Sequence, residues 1–505
     1  VFVRHGDQYG FGVDTYQSNA RDVSKLWQGR DPIATLSRKS RDPNRKLAPP
    51  DMKLHSIQLL RGIAALLVVF YHAVGLQLLT IGPEKAGNAL LGGVFASGFA
   101  GVDLFFVISG FIMVWVTRRA EPGLPGVGEF LFARVTRIYP LWWAAAALAA
   151  AHYIFLHVPE ADDPAWRAAV QNGEGVGFLV KSFLLIPQPD LPVLSLGWTL
   201  MHEMYFYAVF ACLLLVPRAV LPLALLGWGG LVVAASLMGL SQPVAVNFLT
   251  LAIHPLTMEF IFGAMVGLTL SSGLVARSGI LTLVAALWFT ASLCLQGDFT
   301  PYTHQWGRVL AFGVPGALLI YGFAALEQHG RLVWLVPVAA AVIACAAVFQ
   351  MQGVSPQSEA ALRQGATLIA VAAGLGAACL VLGLGWLGGQ FAPGVLYVLR
   401  APLEMLLAAG RHIGDWSYSI YLGHIFAIGG LIFLQRWLAG AGDWAAPFVL
   451  GAPGVLDDLF YIAGAFIGAL LAGWFGYMLV ERPALSLFRM VRRRLFPYSR
   501  RARED

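Results

Sequence analysis

RGIAALLVVFYHA, residues 61–73, places Arg61 and His72 eleven positions apart in a stretch apolar enough to lie in lipid. On a helix eleven residues are three turns plus about 20°, so the two side chains share one face, roughly 16 Å apart along the axis. Lipid penalises both groups, and an ionisable side chain inside a span is a functional candidate by default. The plainer reading makes Arg61 a positive flank at the membrane edge and His72 a hydrogen-bonded packing residue. What weighs against it is the company that His72 keeps.

That company is set by composition. Of 505 residues 58% are hydrophobic and 12% charged, with a mean hydropathy of +0.69, which excludes an ordinary soluble domain. The 56 glycines and 15 tryptophans fit the same class, because helices in lipid pack through small residues and tryptophan gathers at the interfaces. The net charge of +6 is then a topology signal, and no nucleic-acid partner is expected. Cys212, Cys294, Cys345 and Cys379 lie in apolar spans without metal-ligand spacing, so they are expected as core residues, with no disulfide framework and no metal.

Apolar windows of about 18 to 23 residues predict an all-α polytopic membrane protein with about twelve transmembrane helices, and residues 391–408 as a re-entrant or interfacial piece. With the N-terminus inside, 28 of the 34 Lys/Arg fall on the inner side, and this asymmetry puts both termini in the cytoplasm. The six outer ones include Arg308. Residues 1–58 carry ten Lys/Arg and six Asp without an apolar run of signal-peptide length; they read as a basic cytoplasmic arm, largely disordered. Residues 59–483 form the transmembrane domain, and 484–505 a basic cytoplasmic tail.

Depth can be counted at 1.5 Å per residue from the face each helix enters. In GVDLFFVISGF (101–111), Ser109 comes to lie about 15 Å from the outer face, and in LGWTLMHEMYFY (196–207) Glu203 about 10 Å. In WSYSIYLGH (416–424), entered from inside, His424 rises about 15 Å. Ser109, Glu203, His72 and His424 are thus expected at a common depth, with Glu203 orienting or charging a histidine that serves as general base. At the inner rim RVTRIYP (134–140) sets Arg134 and Arg137 one turn apart. Paired guanidiniums suit a polyphosphate, whose oxygens each can grip in a bidentate fork; ordinary positive-inside decoration is the alternative. Tyr139, Pro140, Trp142 and Trp143 read as a helix start and an aromatic belt.

RGIAALLVVFYHA, GVDLFFVISGF, RVTRIYP, WTLMHEMYFY, EFIFGAMVGL, WSYSIYLGH and the closing ERP (481–483) together resemble, in order, the acyltransferase-3 family of bacterial integral-membrane acyltransferases. The resemblance covers roughly residues 52–485. It implies transfer of an acyl group, usually acetyl from cytoplasmic acetyl-CoA, to a hydroxyl of a glycan or lipid-linked saccharide beyond the membrane. It implies His72 as the catalytic histidine, Arg61, Arg134 and Arg137 for the acyl-CoA, and Glu203 within the core. Ser109, Tyr421 and His424 are substrate-pocket candidates by the same resemblance, and Glu259 is one from its place in the sixth span. The family branch that decorates exopolysaccharides makes O-acetylation of a secreted glycan in the inner membrane the expected activity, beside polysaccharide synthesis or export machinery as a partner.

Two departures stand out. Family members typically have about ten spans, and the surplus here lies at 328–405, read as an inserted helix pair. No soluble catalytic domain follows the last span. Two other functions fit twelve spans with intramembrane His and Glu: a proton-coupled transporter or flippase, and a non-catalytic subunit of a polysaccharide synthase. Against a carrier stand the paired rim arginines and the lack of a repeated half. The loop QGDFTPYTHQW (296–306) offers aromatic and polar groups that suit either sugar stacking or an interface.

Overall fold

The structure is a computed structural model that describes residues 54–86, 93–118, 123–156, 164–242, 246–273, 278–295, 305–354, 358–391, 394–452 and 455–496. The basic arm up to residue 53, most of the 296–306 loop and the last nine residues of the tail lie outside them. Every regular element among the described residues is helical. The main helices are α1 (His55–Ala86), α2 (Ala100–Val116), α3 (Leu124–Ala151), α4 (Gly197–Leu213), α5 (Leu221–Leu237), α6 (Thr257–Ser271) and α7 (Ser278–Leu295). They continue as α8 (Gln305–Gln328), α9 (Leu335–Met351), α10 (Ala360–Phe391), α11 (Gly394–Leu438), α12 (Leu456–Gly476) and α13 (Arg482–Leu495).

Nine helices among the described residues are long and apolar enough to cross a membrane, so the chain is an all-α multi-pass membrane protein. Three apolar windows fall instead on α2, α4 and α6, which have 17, 17 and 15 residues. At 1.5 Å per residue these are roughly 23 to 26 Å long, short of a hydrocarbon core of about 30 Å. Residues 391–408 are not a separate re-entrant piece: helix resumes at Gly394 and runs unbroken into the 45 residues of α11.

Glycines set how closely the inner helices approach. Gly101 and Gly110 are nine residues apart, or 900°, and so occupy opposite faces of α2. A Cβ on Gly101 would strike the carbonyl of Ala64 in α1, and one on Gly110 the carbonyl of Phe260 in α6. α2 is therefore clamped between these neighbours, with nearly all of its residues buried. Likewise α11 lies along α1, Gly414 against the backbone of Gln58, and α12 closes on α11 through Gly473 at Ile420. This contact between backbones replaces the hydrophobic drive that lipid does not supply.

At the periphery α9 and α10, the expected inserted pair, pack on each other with Gly374 against the carbonyl of Ala341. The outer side of α10 exposes Leu368, Ile369, Leu380 and Trp386. All four cysteines are free; Cys294 and Cys345 are core residues, whereas Cys212 and Cys379 are exposed on the bundle surface, contrary to their expected burial.

Between α3 and α4 the chain folds into the bundle. The helix Gly175–Leu184 ends beside the middle of α3. Its last carbonyls accept hydrogen bonds from Tyr139 Oη (to Leu184, 2.8 Å), Trp142 Nε1 (to Phe183, 3.2 Å) and Trp143 Nε1 (to Phe183, 3.1 Å). A helix end buried without partners would be costly. The three aromatics supply those partners, so Trp142, fully buried, is no belt residue. The return strand of chain is fixed by Ser182 Oγ, which accepts from Val193 N at 3.0 Å, and α4 starts with Gly197 against Trp142.

Candidate active site

A cavity of about 150 Å³ lies among α1, α2, α3, α4 and α11, and Arg61, Arg134, Arg137, Ser109, Glu203 and Tyr421 are among the residues that line it. Each arginine is held differently. Arg61 Nη1 reaches Gln58 Oε1 at 3.3 Å, one turn back on α1. Arg134 places its guanidinium over the rings of Phe130 and Tyr207, 5.6 and 5.8 Å from their centres. Arg137 pairs with Glu481 at 2.5 Å, and the other oxygen of that buried carboxylate accepts from Ser419 Oγ at 2.6 Å. Glu481 is the acid of the closing ERP motif, to which the sequence alone assigns no role.

Glu203 accepts from Ser109 Oγ at 3.0 Å and from the hydroxyl of Tyr207. Three guanidiniums thus share the cavity region with two carboxylates, Glu203 and Glu481. In a space of low dielectric such an arrangement favours an anion, since charge-assisted hydrogen bonds there are the strong ones.

His72 and His424 meet as a pair: His424 Nε2 is 3.2 Å from His72 Nδ1. His72 Nδ1 is also 2.9 Å from the carbonyl of Val68, and His424 Nδ1 is 3.2 Å from that of Ile420. A carbonyl only accepts, so one assignment satisfies all three contacts: both rings carry their proton on Nδ1, and His72 shares its proton between Val68 O and His424 Nε2. The lone pair of His72 is then on Nε2, as a general base requires.

The expected common depth is not what the structure has. Gly98 lies at Leu67 and Gly101 at Ala64, so α2 runs antiparallel to α1. Ser109 is eight residues beyond Gly101 and His72 eight beyond Ala64 in the opposite sense, which separates them by on the order of 20 Å along the bundle. Ser109 and Glu203 therefore belong to the arginine cavity, and the group oriented against His72 is His424, not Glu203. For Ser109 the physical cause is that α2 begins beside Leu67 and Ala64, already below His72; for Glu203 it is the inward turn at 175–196, which starts α4 inside the bundle. Tyr421 joins the two regions: it lines the cavity, its ring lies 6.2 Å from that of His424, and its hydroxyl donates to Leu196 O at 3.0 Å and meets Thr199 Oγ1 at 2.8 Å.

Glu259 does not line this cavity. It is fully buried beside an ion pair that sequence reasoning missed, in which Arg308 grips both oxygens of Asp103 at 3.0 and 2.8 Å. Both partners are completely buried, so Arg308 is an interior residue and not an outer-loop cation. A widened turn, Val309–Gly313, follows it directly, and Gly313 faces the Glu259 side chain. His202 packs edge-on against His254, ring centres 4.6 Å apart. Among the described residues no group of three or more His, Cys, Asp or Glu could hold a metal.

Comparison with known proteins adds the chemistry. The family model described as "Acyltransferase domain" matches residues 54–344, ending within α9. "Exopolysaccharide production protein ExoZ" of Rhizobium meliloti (strain 1021) is 30% identical over 261 residues, 49% of this chain and 71% of that protein. "Protein 2 in picA locus" of Rhizobium radiobacter is 34% identical over 163 residues, 30% of this chain and 78% of that protein. No solved structure matches.

Proposed function

The chain belongs to the acyltransferase-3 family, and from that premise we propose that it is an O-acetyltransferase: it takes acetyl from cytoplasmic acetyl-CoA and gives it to a hydroxyl of an extracytoplasmic glycan. The observation that carries this reading is the arginine cavity leading through Tyr421 to the paired histidines. Arg61, Arg134 and Arg137 take the phosphates of the donor, because guanidiniums bind such oxygens in pairs. The pantetheine arm then points past Tyr421 toward His72.

In direct transfer His72 Nε2 accepts the proton of the acceptor hydroxyl as its oxygen attacks the thioester carbonyl. The carbon–sulfur bond breaks, and the thiolate of CoA takes up that proton. In the covalent variant Nε2 attacks the thioester carbonyl and the CoA thiolate leaves; the acceptor oxygen then attacks the acetyl carbonyl, the carbon–nitrogen bond breaks to restore His72, and the hydroxyl proton passes to the thiolate. Both place the same demand on the tautomer of His72. His424 holds that tautomer, and Glu203 and Ser109 complete the donor pocket. A secreted polysaccharide is the acceptor suggested by the name of the Rhizobium meliloti relative. The arginine-rich rim faces the cytoplasm, by the positive-inside rule.

The test is calorimetric binding of acetyl-CoA to the purified protein, comparing wild type with Arg134→Ala and His72→Ala. Wild type binds, Arg134→Ala weakens binding, and His72→Ala leaves binding largely intact. A folded wild-type protein that binds no acetyl-CoA overturns the proposal.

A further inference from the structure

α13 has no part in the cavity, and its sequence, RPALSLFRMVRRRL, contains five arginines and no acid. On a helix Arg482, Arg489 and Arg493 fall within about 40° of one another, and Leu487, Val491 and Leu495 form a stripe on the opposite face. None of its residues is buried; Leu487 and Leu495 are more than half exposed. A third side touches α3: the ring of Phe488 lies 6.1 Å from that of Phe132, Phe496 also packs there at 6.1 Å, and Arg492 is 3.9 Å from Glu129.

Those contacts say where α13 sits. On α3 the side formed by Gly128, Glu129 and Phe132 is roughly half a turn away from the cavity side formed by Arg134, Arg137 and Ile138. α13 is therefore on the outside of α3, at the bundle perimeter, in helical continuity with the membrane-crossing α12. An apolar stripe bordered by arginines in continuity with a span is the composition that suits lipid tails and lipid phosphates together.

We propose that α13 is a binding surface for anionic phospholipids. Leu487, Val491 and Leu495 enter the acyl boundary, Arg494 flanks that stripe at the headgroups, and Arg482, Arg489 and Arg493 add long-range attraction. The acyl donor is a poor fit for this surface, because α3 stands between it and the cavity. The surface is nevertheless joined to the cavity through the chain, since Glu481, the partner of Arg137, immediately precedes α13.

The experiment is native mass spectrometry of the full chain with added phosphatidylglycerol or phosphatidylcholine, for wild type, R489Q/R493Q/R494Q and R489K/R493K/R494K. Wild type prefers phosphatidylglycerol; the glutamine variant loses about tenfold or more of that preference, and the lysine variant keeps most of it. Equal thermal unfolding of the three proteins in phosphatidylcholine shows that the change is not loss of fold. An undiminished preference in the glutamine variant overturns the proposal. So does weakened acetyl-CoA binding with lipid preference intact, which would give these arginines to the donor instead.

Discussion

His424 Nε2 stands 3.2 Å from His72 Nδ1, so one imidazole of the pair is held as a proton acceptor for the other. Because His424 supports the tautomer of His72 without offering its own lone pair to substrate, the two positions should fail differently. His72→Ala is expected to lower kcat by about 10² to 10⁴, the range of a lost general base. His424→Ala is expected to cost about 10 to 100-fold, as for other groups that orient a functional histidine. Both should leave the KM for acetyl-CoA within a few-fold of wild type, and steady-state kinetics in membrane vesicles checks the split.

Glu481→Gln removes the carboxylate that holds Arg137 and Ser419. The loss should destabilise the protein by about 1–3 kcal/mol, the cost of leaving a partly buried charged group without its partner. A ligand phosphate can replace that partner, so acetyl-CoA should raise the melting temperature of the variant more than it raises that of wild type. Thermal unfolding with and without acetyl-CoA is the measurement; an equal increment in both proteins would refute the pairing.

Asp103→Asn leaves Arg308 buried with half of its grip gone, and breaking such a pair costs about 3–5 kcal/mol. Replacing both, as Asp103→Leu with Arg308→Met, removes the orphaned charge and should recover a large part of that loss. Unfolding midpoints of the single and double variants in the same detergent decide the matter.

Gly110→Ala puts a methyl group against the carbonyl of Phe260, which backbone cannot yield without separating α2 from α6. The expected cost is about 1–3 kcal/mol, read as lower melting temperature and lower yield of folded protein. Gly376→Ala meets nothing within 4 Å and serves as the control, neutral or slightly stabilising through helix propensity.

Helices were legible from apolar run length, and the shared face of Arg61 and His72 from the 3.6-residue period alone. Arg134 beside Arg137 followed from one turn of helix. What counting could not supply was depth. It assumed that every span starts at a membrane face, and the inward turn before Gly197 breaks that assumption for Glu203. Arg308 was misplaced for a related reason: its partner Asp103 is 205 positions away in the chain, and nothing local distinguishes a paired interior arginine from a loop cation. Trp142 reads as a belt residue in the sequence because the short helix whose carbonyls it satisfies carries no motif.

The hydrogen bond from His72 to the carbonyl of Val68, four residues earlier on α1, has a mechanical meaning. Part of what fixes the ring of His72 lies within a single rod, in a bond that spans one turn of it, and the rest comes from His424 on α11. A bond closed within one rigid helix keeps its geometry when neighbouring helices move relative to that helix.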